Sequence, residues 1–369
     1  MIAFTCEKVL LQNAAAVASR AVSPKSSIPA LEGLLIQAGE EGVTVSGYNM
    51  STGIRSVLDA AVSDYGSVVV HARLFGDILR RMLDDIVAVQ VDESLLVHLQ
   101  CGDSHFDIAG IDAKDFPDLP VVEEEFSVSL RQDLFRDMIE QCAFCVSTNE
   151  SRPVHTGALF EIAGEELVMV AVDGFRLAIR REKLDRPAGT FSFVAPGAAL
   201  NEVKGICGPT EDPAVVTLGK QHILFEVGTT ELICRRLEGE FLDYRSAVPR
   251  NQPIRLTAGK RELIDSIERV SVVISEKAKG PVRCLFEDNR VLLSAKTVNG
   301  EAKDVCRLEG DGEDLEIGFN NRYLLDALRY APADTVELQL HNGVSPVVIV
   351  PQEGERFLYM VLPVRLRTE

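Results

Sequence analysis

One pattern occurs three times along the 369-residue chain: an alternating strand followed at once by an amphipathic helix. Ile2-Ala3-Phe4-Thr5-Cys6 leads into a helical stretch that runs on to Val22-Ser23. Phe126-Ser127-Val128-Ser129-Leu130 leads into 131–147, and Ile254-Arg255-Leu256-Thr257-Ala258 leads into 259–275. Phe4, Phe126 and Ile254 stand 122 and 128 residues apart. A second strand–helix pattern also comes three times. Val68-Val69-Val70 precedes 73–83, Phe191-Ser192-Phe193 precedes 197–206, and Leu315-Glu316-Ile317 precedes 320–331, at spacings of 123 and 124. Self-similarity at a fixed period signals copies of one unit. The chain therefore reads as three modules, each with two helix-bearing halves.

Between the helices lie short alternating stretches such as Val43-Thr44-Val45-Ser46 and Val291-Leu292-Leu293-Ser294-Ala295. Period-two alternation predicts half-buried antiparallel strands. The helices carry one apolar stripe each: Leu134, Met138, Ile139, Cys142 and Cys145 in one, Leu263, Ile267, Val270 and Ile274 in another. A helix of that kind packs one face on a sheet. The fold class is α+β, with about eight strands and two helices in each third. Phe116-Pro117-Asp118-Leu119-Pro120 closes the first third. Phe241-Leu242-Asp243-Tyr244 and the Pro249 to Pro253 linker close the second. The expected domains are 1–121, 122–251 and 252–369.

Chemistry is harder to find. The longest apolar runs are strand-sized, far short of the ~18–20 residues that span a bilayer. The N-terminus lacks the basic-then-apolar order of a signal peptide, so a cytoplasmic location is expected. Of the eight cysteines only Cys142 and Cys145 are close, with no second pair to complete a zinc site. They fall on a helix's buried face and read as packing residues. No Ser-His-Asp order, nucleophile elbow or Gly-rich phosphate loop stands out. No catalytic residue, metal or cofactor is expected.

The net charge of −18 argues against a protein coated in nucleic acid. Divided along the chain it says more. The six helical windows sum to +3, leaving −21 for the rest. The bland account is solvated mixed charge. The sharper account is that the helices face a polyanion and touch phosphates without reading bases.

Four stretches then carry a recognisable pattern: Val170-Ala171-Val172-Asp173-Gly174-Phe175-Arg176-Leu177-Ala178, Gly239-Glu240-Phe241-Leu242-Asp243-Tyr244, Glu316-Ile317-Gly318-Phe319-Asn320, and Met360-Val361-Leu362-Pro363-Val364-Arg365-Leu366. With the threefold repeat, the whole chain resembles the bacterial DNA polymerase III beta-subunit family, the sliding clamps. The resemblance implies the DNA clamp fold: a head-to-tail homodimer closing into a six-domain ring, helices inside, through which double-stranded DNA slides without sequence preference. It implies partners carrying a short clamp-binding motif: the replicative DNA polymerase subunit, the clamp loader and repair proteins. An acidic repeat scaffold that binds peptides without encircling DNA is the alternative.

By the same resemblance, the peptide groove comprises His155, Val172, Gly174, Phe175, Arg176, Leu177, Leu242, Ala247, Asn320, Tyr323, Val344, Pro346, Met360, Val361, Leu362, Pro363, Val364, Arg365 and Leu366. Two or three buried apolar anchors would hold a motif there, worth a few kcal/mol at ~25 cal/mol per Å². DNA contacts fall to Lys25, Arg73, Arg80, Asn149 and Arg152. The ring interface falls to Phe106 and Ile108 on one edge strand, with Val272 and Val273 on an opposing helix. The chain departs from the family in places. Asp103 and His105 replace frequent arginines, with Glu301 and Asp304 facing them. Gly197 and Ala198 replace basic residues. Leu242, Ser246, Ala247 and Pro346 alter the groove, and Arg367-Thr368-Glu369 extends past Leu366.

Overall fold

The structure is a computed structural model that describes residues 2–83, 85–275 and 277–366. The Arg367-Thr368-Glu369 extension lies outside the described residues. The first third runs β1 (Ile2–Glu7), α1 (Lys8–Ala18), β2 (Gly33–Gly39), β3 (Gly42–Tyr48), β4 (Thr52–Leu58), β5 (Ala61–Asp64), β6 (Gly66–His71), α2 (Ala72–Arg81), β7 (Ile86–Val91), β8 (Leu96–Cys101) and β9 (Ser104–Ile111). The second runs β10 (Phe126–Arg131), α3 (Gln132–Ala143), β11 (Gly157–Val172), β12 (Arg176–Pro196), α4 (Gly197–Ile206), β13 (Pro213–Leu218), β14 (His222–Val227), β15 (Thr230–Arg235) and the short α5 (Tyr244–Ala247). The third runs β16 (Ile254–Gly259), α6 (Lys260–Ser271), β17 (Val282–Thr297), β18 (Gly300–Phe319), α7 (Asn321–Tyr330), β19 (Thr335–Leu340), β20 (Val347–Pro351) and β21 (Phe357–Val361).

Two compact units emerge, Met1–Arg136 with Ala198–Arg236, and Asp137–Gly197 with Leu237–Glu369. They cut across the expected thirds because backbone ladders cross the expected boundaries. β15 pairs with β4, and β12 with β21. The first unit holds a 13-stranded antiparallel sheet in the order β10-β13-β14-β15-β4-β3-β2-β6-β9-β8-β7-β1-β5. β9 joins its halves: residues 104–109 pair with β8, and only Gly110 and Ile111 pair with β6. Leu11, Ala14, Ala15 and Ala18 of α1 and Phe75, Ile78 and Leu79 of α2 fill one core with Phe4, Ile36, Val45, Val68, Val89 and Leu99. The alanines keep α1 slim enough to lie close on the strands.

The second unit holds an eight-stranded sheet, β11-β12-β21-β20-β19-β16-β18-β17. The β11–β12 and β17–β18 hairpins are long but carry register shifts, at Gly164 and around Asp288. Among the described residues the thirds show nine, six and six strands rather than eight each, and the long β11, β12, β17 and β18 account for the two lower counts.

Six helices stand where the periodicity places them, but three end a full turn early, and α2 and α7 end at Arg81 and Tyr330, short of 83 and 331. α1, α3 and α6 stop at Ala18, Ala143 and Ser271, short of the expected 22, 147 and 275. The buried stripe of α3 is Phe135, Met138, Ile139 and Cys142, with Leu134 only half-buried. Cys145 and Ile274 lie past their helix ends, the first fully buried and the second half-buried. No helix among the described residues is long and apolar enough to cross a membrane.

Candidate functional site

The turn between β11 and β12 is built by its own side chains. Asp173 Oδ1 accepts the backbone N–H groups of Phe175 (2.9 Å) and Arg176 (3.1 Å). That side-chain-to-backbone closure is the Asx turn. Gly174 sits at φ +90°, where a Cβ would strain the backbone. Phe175 is thereby held outward, 58% exposed. One of its faces stacks on Tyr323 of α7, ring centres 5.8 Å apart at 22°. Asn320 fixes that helix start, its Oδ1 accepting from the N–H groups of Arg322 (3.0 Å) and Tyr323 (3.4 Å).

Arg176 ties the two elements together. Its Nε donates to Asp173 (2.9 Å) and its Nη1 to Asp326 of α7 (2.6 Å). The guanidinium lies 4.6 Å from the Tyr323 ring centre and 5.4 Å from that of Phe144. Burial opposes its charge, but Asp326, Cys145 and Asp173 outweigh it and raise the pKa above the ordinary arginine value.

Beside this shelf lies an apolar floor. Val172, Leu177 and Met360 share one buried cluster with Val154, Tyr244 and Val348, and Phe241 and Val248 pack against it. The β12–β21 ladder sets Leu177 opposite Met360 and Arg176 opposite Val361. Leu242 stands exposed and Ala247 half-buried at either end of α5, where Asp243 caps the helix through Ser246. His155 presents an edge to Phe241, 5.4 Å away at 73°. Burial, then the charge of Arg152, lowers its pKa.

The chain's tail crosses the same region. Leu362 N–H donates to the Phe175 carbonyl (2.9 Å), and Val364 N–H to the Gly318 carbonyl (2.8 Å). A Cβ at Gly318 would come within 2.5 Å of Leu366 Cδ2 and 2.9 Å of the Val364 carbonyl oxygen. The tail reaches its seat because residue 318 has no side chain. Leu362, Val364 and Arg365 are exposed, Pro363 and Leu366 half-buried. Val344 and Pro346 precede β20, whose Val348 belongs to the floor. The Val344 N–H is held by Asn342 Oδ1 (3.0 Å), and the Pro346 carbonyl accepts from Gln252 Nε2 (2.8 Å).

The expected nucleic-acid contacts are all exposed. Arg73 and Arg80 line a 560 Å³ groove between α1 and α2, with Gln12, Ser19 and Pro24. Lys25 follows Pro24. Arg80 is also paired with Asp77. Asn149 and Arg152 lie on the turn after α3, where Asn149 Oδ1 accepts from Ser151 N–H (3.0 Å).

The expected interface residues are placed differently from expectation in three respects. Ile108, 7% exposed, belongs to the core of its own chain, and Phe106 packs against that core. Val272 and Val273 follow α6 rather than lying on it. Asp304 turns inward to Ser266 (2.6 Å) and Arg269 (2.7 Å) of α6.

The sequence reading missed Phe144, Asp326, Tyr244 as part of the floor, and Gly318 as the tail's seat. Asp173-Gly174 was a visible turn signal; the partnership with Asp326, 150 residues away, had none. All eight cysteines are buried free thiols, and burial pushes the Cys142 and Cys145 pKa values up. Among the described residues no group of His, Cys, Asp or Glu is arranged to hold a metal.

Comparison with known proteins gives one result throughout. Residues 2–120, 129–243 and 245–365 match, in order, the N-terminal, central and C-terminal domains of the DNA polymerase III beta subunit. The beta sliding clamp of Bacillus subtilis is 27% identical, over 98% of this chain and 99% of that protein. That of Staphylococcus aureus is 29% identical, over 94% of each. Among solved structures, a DNA polymerase III beta subunit from Eubacterium rectale superposes with a TM-score of 0.94 at 29% identity, covering 99% of both chains. The Bacillus subtilis clamp gives 0.94 at 27%, covering 99% of this chain and 100% of that one.

Proposed function

The chain belongs to the bacterial DNA polymerase III beta-subunit family, and on that premise we propose that its floor, shelf and tail form one peptide-binding groove. The protein is a sliding clamp: it encircles duplex DNA and tethers the replicative polymerase and other factors, so that they stay on the template. In this reading it carries no reaction of its own and works beside the chromosome in the cytoplasm. The thirds 1–121, 122–251 and 252–369 are its three clamp modules.

The observation that carries the groove is the joining of three separate stretches. The 172–177 turn, α7 and the 360–366 tail meet through the Phe175–Tyr323 stack, the Arg176–Asp326 pair and the Leu362–Phe175 hydrogen bond. Apolar side chains of a partner motif would rest on Val172, Leu177 and Met360. His155, Leu242, Ala247, Val344 and Pro346 would edge them.

The ring rests on two half-open strands. Among the described residues, 104–109 of β9 pair with β8 alone. β18 has β17 along its length, but β16 only at Glu309. An open edge invites pairing with another chain. Two different edges on one chain make a head-to-tail contact, which closes a ring when the rotation allows. Lys25, Arg73, Arg80, Asn149 and Arg152 supply the phosphate contacts. Few contacts on an acidic body suit a protein that must slide. Light scattering after size exclusion tests the ring. A dimer of about twice 40.4 kDa is expected, and a stable monomer at micromolar concentration contradicts it.

A further inference from the structure

The helix α5 carries one edge of the groove, yet it is four residues long. A helix that short does not hold itself, because fixing a single turn costs more chain entropy than its few hydrogen bonds return. Internally α5 has two backbone hydrogen bonds, Ala247 N–H to the Asp243 carbonyl (3.2 Å) and Val248 N–H to that of Tyr244 (3.1 Å). The Asp243 cap on Ser246 fixes its start. None of these sets where the helix lies on the sheet.

Glu161 does so from a strand. It sits inside the β11–β12 ladder, opposite Ser192. Leu159, two residues earlier on β11, belongs to the apolar floor, and side chains two apart on a strand share a face. Glu161 therefore rises on the floor's side, with Phe160 and Ile162 buried to either side of it in sequence. Its carboxylate accepts three hydrogen bonds from consecutive residues of α5. Oε2 accepts from the Tyr244 phenol (2.5 Å) and from Arg245 Nη2 (2.6 Å), and Oε1 accepts from Arg245 Nη1 (3.2 Å). The arginine pairs two-pronged, the geometry that fixes direction as well as distance. Its guanidinium also lies 4.7 Å from the Tyr244 ring centre, so it folds over that ring. Burial, then the bond to Glu161, raises the Tyr244 pKa well above the ordinary tyrosine value, so the phenol stays protonated and donates.

We propose that Glu161 is a positioning residue for partner binding: by gripping Tyr244 and Arg245 it pins α5 to β11 and so sets the groove edge formed by Leu242 and Ala247. This rests on the groove reading above and adds to it a residue from another strand. Tyr244 is 3% exposed and lies in the floor, so it couples the grip directly to the surface on which a partner's apolar side chains would rest. Leu242 and Ala247 stand just outside and at the end of α5, so a shift of the helix moves both.

The test separates positioning from plain stability. Affinity for a clamp-binding peptide is read by fluorescence anisotropy on the full chain, beside a denaturant melt. E161A is expected to weaken the peptide about tenfold, the scale of one hydrogen bond to a charged group. It should also lower the melt midpoint, because the Tyr244 hydroxyl is left buried without an acceptor. Adding Y244F removes that orphaned donor. E161A/Y244F is therefore expected to recover most of the midpoint while its affinity stays about tenfold down, since nothing then ties α5 to β11. E161Q keeps an acceptor for Tyr244 but loses the pairing with Arg245. It is expected to hold the midpoint and lose about threefold in affinity. Affinity that returns with the midpoint in E161A/Y244F overturns the proposal, because Glu161 would then only satisfy a buried hydroxyl. Parent-like affinity in E161A also overturns it. A parent chain that binds no such peptide overturns the groove reading itself, which is a separate result.

Discussion

Arg176 is the residue on which the groove's shape turns. It is ringed by two carboxylates and two aromatic faces, so its loss leaves Asp173 and Asp326 without their cation. Breaking one side of a largely buried pair is costly. We expect R176A to lose roughly 2–4 kcal/mol of stability. It should also weaken a bound partner peptide, read by fluorescence anisotropy beside a denaturant melt. Unchanged stability would show that the two aspartates do not depend on it. His155 makes a second prediction. Its pKa is lowered by burial and Arg152, so the folded chain favours the neutral ring. As pH falls below about 6.5, the unfolded chain takes a proton that the folded chain resists. Stability should drop across that window and level off below the folded pKa. H155Q should remove that part of the drop, so its deficit relative to the parent should shrink between pH 7.5 and 5. An equal deficit at both pH values counts against it. At this scale the sequence disclosed residues whose role is local. Asp173 and Gly174 announce a turn by type. Asp326, Phe144 and Gly318 act through contacts made only after folding, and no local pattern marks them.

Elements were more legible than residues, and their ends least of all. Six helices follow from one apolar stripe each, because a stripe at 3.6-residue spacing has few other uses. In α3 the stripe is set by Phe135, one position from the expected Leu134. Met138, Ile139 and Cys142 fit either choice, so spacing alone could not separate them. The helix stops at Ala143, and the next residue, Phe144, stacks on Tyr330 with ring centres 4.7 Å apart, a tertiary contact that no local pattern marks. α5 is four residues long, too short to show any period. The tail is the element with the sharpest test. Deleting residues 362–366 should abolish partner-peptide binding while leaving the dimer intact. G318A should act more gently, displacing the tail from its seat and weakening the peptide without changing the assembly state. Isothermal titration with a clamp-binding peptide, beside light scattering, separates these outcomes. Full affinity in the deletion would remove the tail from the groove.

For the whole molecule, three repeats were plain in the spacing, yet the compact units do not follow them. The ladders β15–β4 and β12–β21 run through the expected joints, and pairing partners far apart in sequence cannot be read from alternation. The same holds for the open edges: alternation marks a strand, not whether its neighbour comes from its own chain. Charge was legible only when divided. A total of −18 conceals helical windows that sum to +3, to which the exposed Arg73 and Arg80 contribute, while the exposed Lys25 and Arg152 stand on the segments just after two of those windows. Phosphate contacts so few should bind weakly, lose affinity as salt rises with a slope set by their number, and be indifferent to base sequence. Topology, rather than affinity, would then keep the protein on DNA. The direct measurement is retention on DNA at moderate salt, with the protein loaded on nicked circular duplex and passed through a sizing column. The expected result is co-elution with the circle and loss within minutes once a single cut linearises it. Equal retention on circular and linear DNA, or none on either after loading, would contradict a ring that encircles the duplex.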